Sequence, residues 1–209
     1  MRVISGSAKG RKLRSVPGEG TRPITERVKA ALFNILAADV EDTRWLDLFG
    51  GTGSVGIEAL SRGAAHVVFT DNAYKAVETL RRNLNEMGLT ERATVIKGDA
   101  FRYLRQIDPA TAFDYIYVAP PQYKDLWATA LLALDDKPLL APDGWVIVQI
   151  FPKEHRELPL KRLVHVRERH YGSTALHFYA LGEASAAEAT PAAAEQDELS
   201  TGDETPEEH

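Results

Sequence analysis

The stretch Asp47-Leu48-Phe49-Gly50-Gly51-Thr52-Gly53-Ser54-Val55-Gly56 decides the fold. It closes an apolar run over 44–48 and carries G-x-G-x-x-G at Gly51, Gly53 and Gly56. That pattern marks a tight strand-to-helix turn whose backbone comes close to a ligand. Three other sites also stand just after apolar runs: Asp71, Gly98-Asp99-Ala100, and Ala119-Pro120-Pro121-Gln122-Tyr123. Short apolar runs bounded by turn residues read as buried parallel strands. Ligands of open α/β sheets bind beyond strand carboxyl ends, so four loops are expected to converge on one rim.

Working outward, the spacing predicts strands over 44–48, 66–70, 93–97, 115–118 and 145–150. Helices are expected over 54–62, 73–87, 101–106 and 123–134, with Gly88 ending the second of these and a turn punctuated by Pro138, Pro142 and Gly144. Residues 163–169 and 174–181 read as a closing antiparallel pair around Tyr171-Gly172. The fold class is therefore α/β, a seven-stranded, mostly parallel Rossmann-like sheet with a C-terminal antiparallel hairpin. Upstream, 2–4 and 11–13 read as two small strands, and a helix follows Thr25 as N-cap, with Val28, Leu32, Ile35 and Leu36 on one face, ending near 38. Three parts are expected: a basic arm over 1–24, a catalytic domain over 25–182 and a disordered acidic tail over 183–209. The tail holds Leu199 as its one large aliphatic residue, too little to offset its ordering entropy.

The residue types point to a small cationic cofactor. Asp71 lies 20 residues beyond Gly51, where its carboxylate can accept both ribose hydroxyls. Asp47 suits an ammonium or sulfonium and repels a pyrophosphate. Asp99 and Ala100 can meet an adenine edge. Together these favour S-adenosylmethionine over a dinucleotide; the alternative for Asp47 or Asp99 is a cap on the next helix. In Ala119-Pro120-Pro121-Gln122-Tyr123 two prolines hold the backbone rigid. Transfer to an exocyclic amine needs such positioning, because the nitrogen lone pair is delocalised into the ring. Tyr123 is the candidate to stack on an extruded base, with Trp127 one turn further on. The alternative is a stiff turn with Tyr123 in the core.

Charge is unevenly spread. The net charge is −5, but residues 183–209 carry nine acids and no Lys or Arg, so the rest of the chain is +4. Residues 1–29 alone are +6, an electrostatic footprint for a polyanion. Cysteine is absent, which excludes disulfides and thiolate chemistry. With no cysteine and no H-E-x-x-H among His66, His155, His165, His170, His177 and His209, no metal is expected, and most of these histidines read as surface or hairpin residues. No run reaches a membrane span and no signal peptide is evident, so a cytoplasmic location without a membrane partner is expected.

These motifs make the chain resemble the RsmD family of bacterial 16S ribosomal RNA guanine-N2 methyltransferases. The resemblance covers nearly all of 1–182. It is carried by Met1–Gly6 with Gly10–Leu13, by Thr21-Arg22-Pro23-Ile24-Thr25-Glu26-Arg27-Val28-Lys29-Ala30-Ala31-Leu32-Phe33-Asn34, by Asp47–Gly53, by Leu60–Ala64 and by Tyr171–Leu176. It implies a class I S-adenosylmethionine-dependent fold, cofactor contacts at Asp47, Gly51, Gly53, Asp71, Asp99 and Ala100, and a catalytic loop at Ala119, Pro120, Pro121, Gln122 and Tyr123. It also implies 16S ribosomal RNA or the small subunit as partner, with Arg22–Arg27 near the RNA. Arg11, Lys12, Arg22 and Arg27 are the candidate RNA-binding residues. One departure stands out: the family loop begins with Asp or Asn and places an aromatic after Pro-Pro, whereas here Ala119 and Gln122 occupy those positions. The competing readings are a non-catalytic RNA-binding or ribosome-assembly module, an NAD-dependent oxidoreductase, and methyl transfer to DNA or a protein amide.

Overall fold

The computed structural model describes residues 1–18, 24–37, 39–122, 124–137 and 139–183. Apolar runs flanked by turns become β1 (Arg44–Asp47), β2 (His66–Asp71), β3 (Ala93–Lys97), β4 (Phe113–Val118) and β5 (Leu140–Ile150). These alternate with α2 (Ser54–Ser61), α3 (Tyr74–Met87), α4 (Ala100–Gln106) and α5 (Leu126–Asp136), after an N-terminal α1 (Glu26–Leu36). β6 (Leu163–Tyr171) and β7 (Thr174–Leu181) complete a seven-stranded sheet of order β3-β2-β1-β4-β5-β7-β6. β1 to β5 pair in parallel, while β7 runs antiparallel between β5 and β6. The expected architecture is therefore present, with the last strand inserted beside β5.

Both faces of the sheet are covered. One core joins Trp45, Tyr115, Tyr117 and Phe178 to α1, α2 and α3; the other joins Leu46, Val118, Val148 and Tyr179 to α4 and α5. Strand reversal between these sets follows the pleat, since successive side chains alternate faces. Gly56 permits the close packing of α2, because a Cβ there would come within 2.3 Å of the Phe69 ring. Two boundaries differ from expectation. β5 begins at Leu140 rather than 145 and passes through Pro142 and Gly144, with a register shift against Phe113–Tyr115. An irregular edge of this kind tolerates a proline that a regular ladder would not. α5 begins at Leu126, since Asp125 sits left-handed at φ 51° and delays the helix.

The N-terminal segment is bound into the body. Arg2 and Lys12 bridge antiparallel, and Val3, Ala8 and Leu13 are buried. Glu58, fully buried in α2, accepts the Ile4 and Ser5 N–H groups at 2.8 and 3.0 Å. Ser61 receives the Ala8 N–H on its hydroxyl at 2.9 Å and donates to the Ser5 carbonyl at 2.6 Å. Lys29 is not part of a basic surface: its ammonium is buried, 3.1 Å from Glu58 and 2.7 Å from the Arg2 carbonyl. Burial pushes its pKa down, opposed by Glu58. Among the described residues, no helix is long and apolar enough to cross a membrane. The expected tail over 183–209 lies outside the described residues apart from Glu183, as do Arg22 and Tyr123.

Candidate functional site

Three strand ends place the acidic residues on one rim. Asp47 ends β1 and Asp71 ends β2. The loop between β1 and α2 turns through Gly51 at φ 53° and Gly53 at φ 77°, a left-handed geometry that glycine adopts without strain. A Cβ on Gly51 would meet only the Phe49 carbonyl, at 3.9 Å, so open space lies above the loop. Asp71 shapes that loop: its Oδ2 accepts the Gly51 N–H at 2.9 Å and its Oδ1 accepts the Ala73 N–H at 2.8 Å. A carboxylate offers about four acceptor sites, so further hydroxyls can be bound.

Asp47 is buried, and its Oδ1 has no hydrogen-bond partner. Burial drives its pKa up to about 7, with Asp71 adding to the rise and the backbone amides of Gly56 and Phe49 opposing it. An orphaned, costly carboxylate beside an open glycine loop fits a ligand that brings a positive charge or donor N–H groups. Asp99 caps α4, its Oδ1 accepting the Arg102 N–H at 2.8 Å, and is exposed; Ala100 is buried in the first turn. The helix-cap role is therefore realised for Asp99.

The proline loop follows β4. Ala119 and Pro120 are half-buried, and Pro121 and Gln122 are exposed. Gln122 lines a cavity of about 270 Å³ with Thr25, Arg27 and Val28 from α1, Gln149 from β5, and Tyr171, Gly172, Ser173 and Thr174 from the turn between β6 and β7. Tyr117 connects this cavity to the glycine loop. It lies beside Asp47 in the β1–β4 register, and its hydroxyl donates to Gln149 Oε1 at 2.6 Å. Burial and the neighbouring Asp47 hold the phenol well above its ordinary pKa, so it stays a donor. That bond directs the Gln149 amide nitrogen away from Tyr117.

One expectation is corrected by packing. Trp127 does not face a base: it is 1% exposed and stacks on His155 at 5.8 Å. His177 lies in the closing hairpin, as expected, and is buried at 1% exposure. Of the candidate RNA contacts, Arg27 lies on the cavity, while Arg11 and Lys12 are exposed on the N-terminal hairpin. The sequence reading missed Gln149, Tyr117 and Ser173. It also missed Asn83, which donates to the carbonyls of Arg14 at 3.2 Å and Thr52 at 2.9 Å, tying the hairpin to the glycine loop. Gln149 left a signal as the one polar residue in the run Trp145–Ile150.

The chain is similar to known proteins in sequence and fold. The family model described as conserved hypothetical protein 95 matches residues 1–180. YlbH of Bacillus subtilis (strain 168) is 42% identical over 185 residues, covering 86% of this chain and 98% of its own. The ribosomal RNA small subunit methyltransferase D of Haemophilus influenzae is 33% identical over 167 residues, covering 71% of this chain and 86% of its own. Among solved structures, yhhF from Escherichia coli superposes with a TM-score of 0.76 at 30% identity, covering 87% of this chain and 97% of that one. An RNA methyltransferase from Salinibacter ruber, in complex with S-adenosyl-L-homocysteine, shares the fold with a TM-score of 0.60 at 17% identity, covering 78% of this chain and 95% of that one.

Proposed function

The chain belongs to the conserved hypothetical protein 95 family, and from that premise we propose that it is an S-adenosylmethionine-dependent ribosomal RNA methyltransferase acting on the exocyclic N2 of a guanine in 16S ribosomal RNA, in the cytoplasm. The relatives' names support ribosomal RNA as substrate. The observation that carries the reading is the cavity shared by the proline loop, the start of α1 and the β6–β7 turn, joined through Gln149 and Tyr117 to Asp47.

The residues fit the cofactor. Asp71 would take the ribose hydroxyls while keeping the Gly51 N–H, the open loop at Gly51 would admit the nucleoside, and the orphaned Asp47 carboxylate would answer the positive end. Asp99 and Ala100 border the adenine. When bound, the cofactor supplies an electrophilic methyl carbon on a sulfonium. The protein's part is positioning. The carbonyls of Ala119 and Pro120 would accept the N–H bonds of the target amine and so fix the direction of its lone pair. Gln122 aids at the loop, and the Gln149 amide donates to a base acceptor. Arg27, with Arg11, Lys12 and Arg22, holds phosphates through sequence-independent contacts. Tyr123 is proposed to stack on the guanine.

The test is methyl incorporation into 16S ribosomal RNA, free or in small subunits, from cells lacking the protein, followed by nucleoside mass spectrometry. The account expects N2-methylguanosine. Intact cofactor binding without incorporation into either substrate would instead make the protein an RNA-binding module.

A further inference from the structure

At the far edge of the sheet from the glycine loop, a β-bulge brings His165 and Glu168 onto the face of His177, and His155 packs there from the connection between β5 and β6. Directly opposed residues of neighbouring strands share a face. His165 opposes Tyr179, Arg167 opposes Phe178 and Glu168 opposes His177, with a register shift between His165 and Arg167. In a regular strand His165 and Glu168, three residues apart, would point to opposite faces. The extra residue, Val166, brings both onto the face of His177 and Tyr179. His155, from the connection between β5 and β6, stacks on His177 with ring centroids 4.0 Å apart.

The polar atoms converge. His177 Nδ1 lies 3.2 Å from His165 Nε2 and 3.6 Å from a Glu168 carboxylate oxygen. Each of the three imidazoles offers a ring nitrogen, and these lie within 4.8 Å of one another. His177 Nε2 is buried without a partner. An imidazole cluster has little to gain from its own company, since each ring nitrogen needs a donor or acceptor that another neutral imidazole only half supplies.

We propose that His155, His165 and His177, with Glu168 as fourth ligand, bind a divalent transition metal ion of the zinc class. Three imidazoles and a carboxylate suit zinc, cobalt or nickel rather than calcium or magnesium, which prefer all-oxygen shells. Tetrahedral ligation at ~2.0–2.1 Å sets nitrogens ~3.4 Å apart. The His165–His177 pair is close to that spacing at 3.2 Å, and the half-buried His155, whose Nε2 lies 3.4 Å from the Tyr179 hydroxyl, must turn out of its stack on His177 to complete the set. The ion is structural. It pins the β5–β6 connection to the β6–β7 hairpin and, through the Trp127 ring against His155, braces the first turn of α5 just after the proline loop. The expectation of no metal looked for cysteine and for helical spacing; this set is assembled by a bulge instead.

The test uses the untagged full chain, stripped with a chelator and dialysed. Cobalt(II) at one equivalent is expected to give the visible absorption of a four-coordinate ion, which zinc displaces. Zinc is expected to raise Tm by about 5 °C, and magnesium not at all. Because His177 is buried and its replacement risks the fold, the decisive variants are H165A and E168Q, both exposed. H165A should weaken binding at least about tenfold, since one of four ligands is lost, while its metal-free Tm stays within about 2 °C of wild type. E168Q should weaken binding less, and H66A, remote from the cluster, should bind as wild type. Absence of the cobalt spectrum in the wild type, or its survival together with the zinc-induced Tm rise in H165A, would overturn the proposal.

Discussion

Asp47 and Ala119 pose opposite problems at the scale of single residues. Asp47 is a carboxylate the fold pays to bury. Its pKa is about 7 in the folded chain against 3.8 as the ordinary value. A raised folded pKa means that the group's contribution to stability is fully present below about pH 4 and is lost as pH rises to about 7. D47N should therefore gain stability relative to wild type across that window, by about 2–4 kcal/mol at pH 8, read by urea denaturation of the cofactor-free protein. A flat difference from pH 4 to 8 would contradict the assignment. A bound cation would ionise Asp47, so binding of S-adenosylmethionine near pH 7 should release a proton and show a calorimetric heat that varies with buffer. Ala119 lacks the acceptor that the resembling family places there. A119N is expected to raise kcat about tenfold with KM for RNA little changed, because an added side-chain acceptor acts on the reacting amine. The positions of Asp47 and Asp71 at strand ends were legible because apolar runs mark the strands. Gln149 and Tyr117 were not, since their pairing joins residues 32 apart in sequence.

Among the elements, the N-terminal hairpin and α2 depend on each other. Glu58 accepts two hairpin amides and faces Lys29 and Arg62, all against a buried helix. Removing Lys29 leaves the buried Glu58 with Arg62 as its remaining cation, and breaking a buried pair costs up to about 3–5 kcal/mol. K29M is expected to lose that much in chemical denaturation, and the double variant K29M/E58Q should recover part of it. Equal stability of K29M and wild type would show that the pair is not what fixes the hairpin. The sequence made the strands and helices readable to within a few residues because their apolar periods are clean. It hid the hairpin's docking, which rests on Glu58 and Ser61, two buried polar residues of α2. It also hid the bulge at 165–167, since one inserted residue in an exposed strand leaves no mark in a polar-apolar pattern.

Across the whole molecule, the exposed basic residues Arg2, Lys9, Arg11, Lys12 and Arg27 belong to the same end of the chain, whereas Lys29 is buried and Arg14 pairs with Glu86 at 2.6 Å. The positive surface is thus smaller than the sequence charge suggests. R27E, beside the cavity, is expected to weaken RNA binding about tenfold and to lower the slope of log affinity against log salt by about 1, with cofactor affinity unchanged in calorimetry. The most direct measurement of the central claim is a crystal structure with S-adenosylhomocysteine. The account predicts the nucleoside over Gly51–Gly53, its ribose at Asp71, and its sulfur facing the cavity bounded by Gln122 and Gln149. A sulfur directed away from that cavity, or a nucleoside bound elsewhere on the molecule, would contradict it.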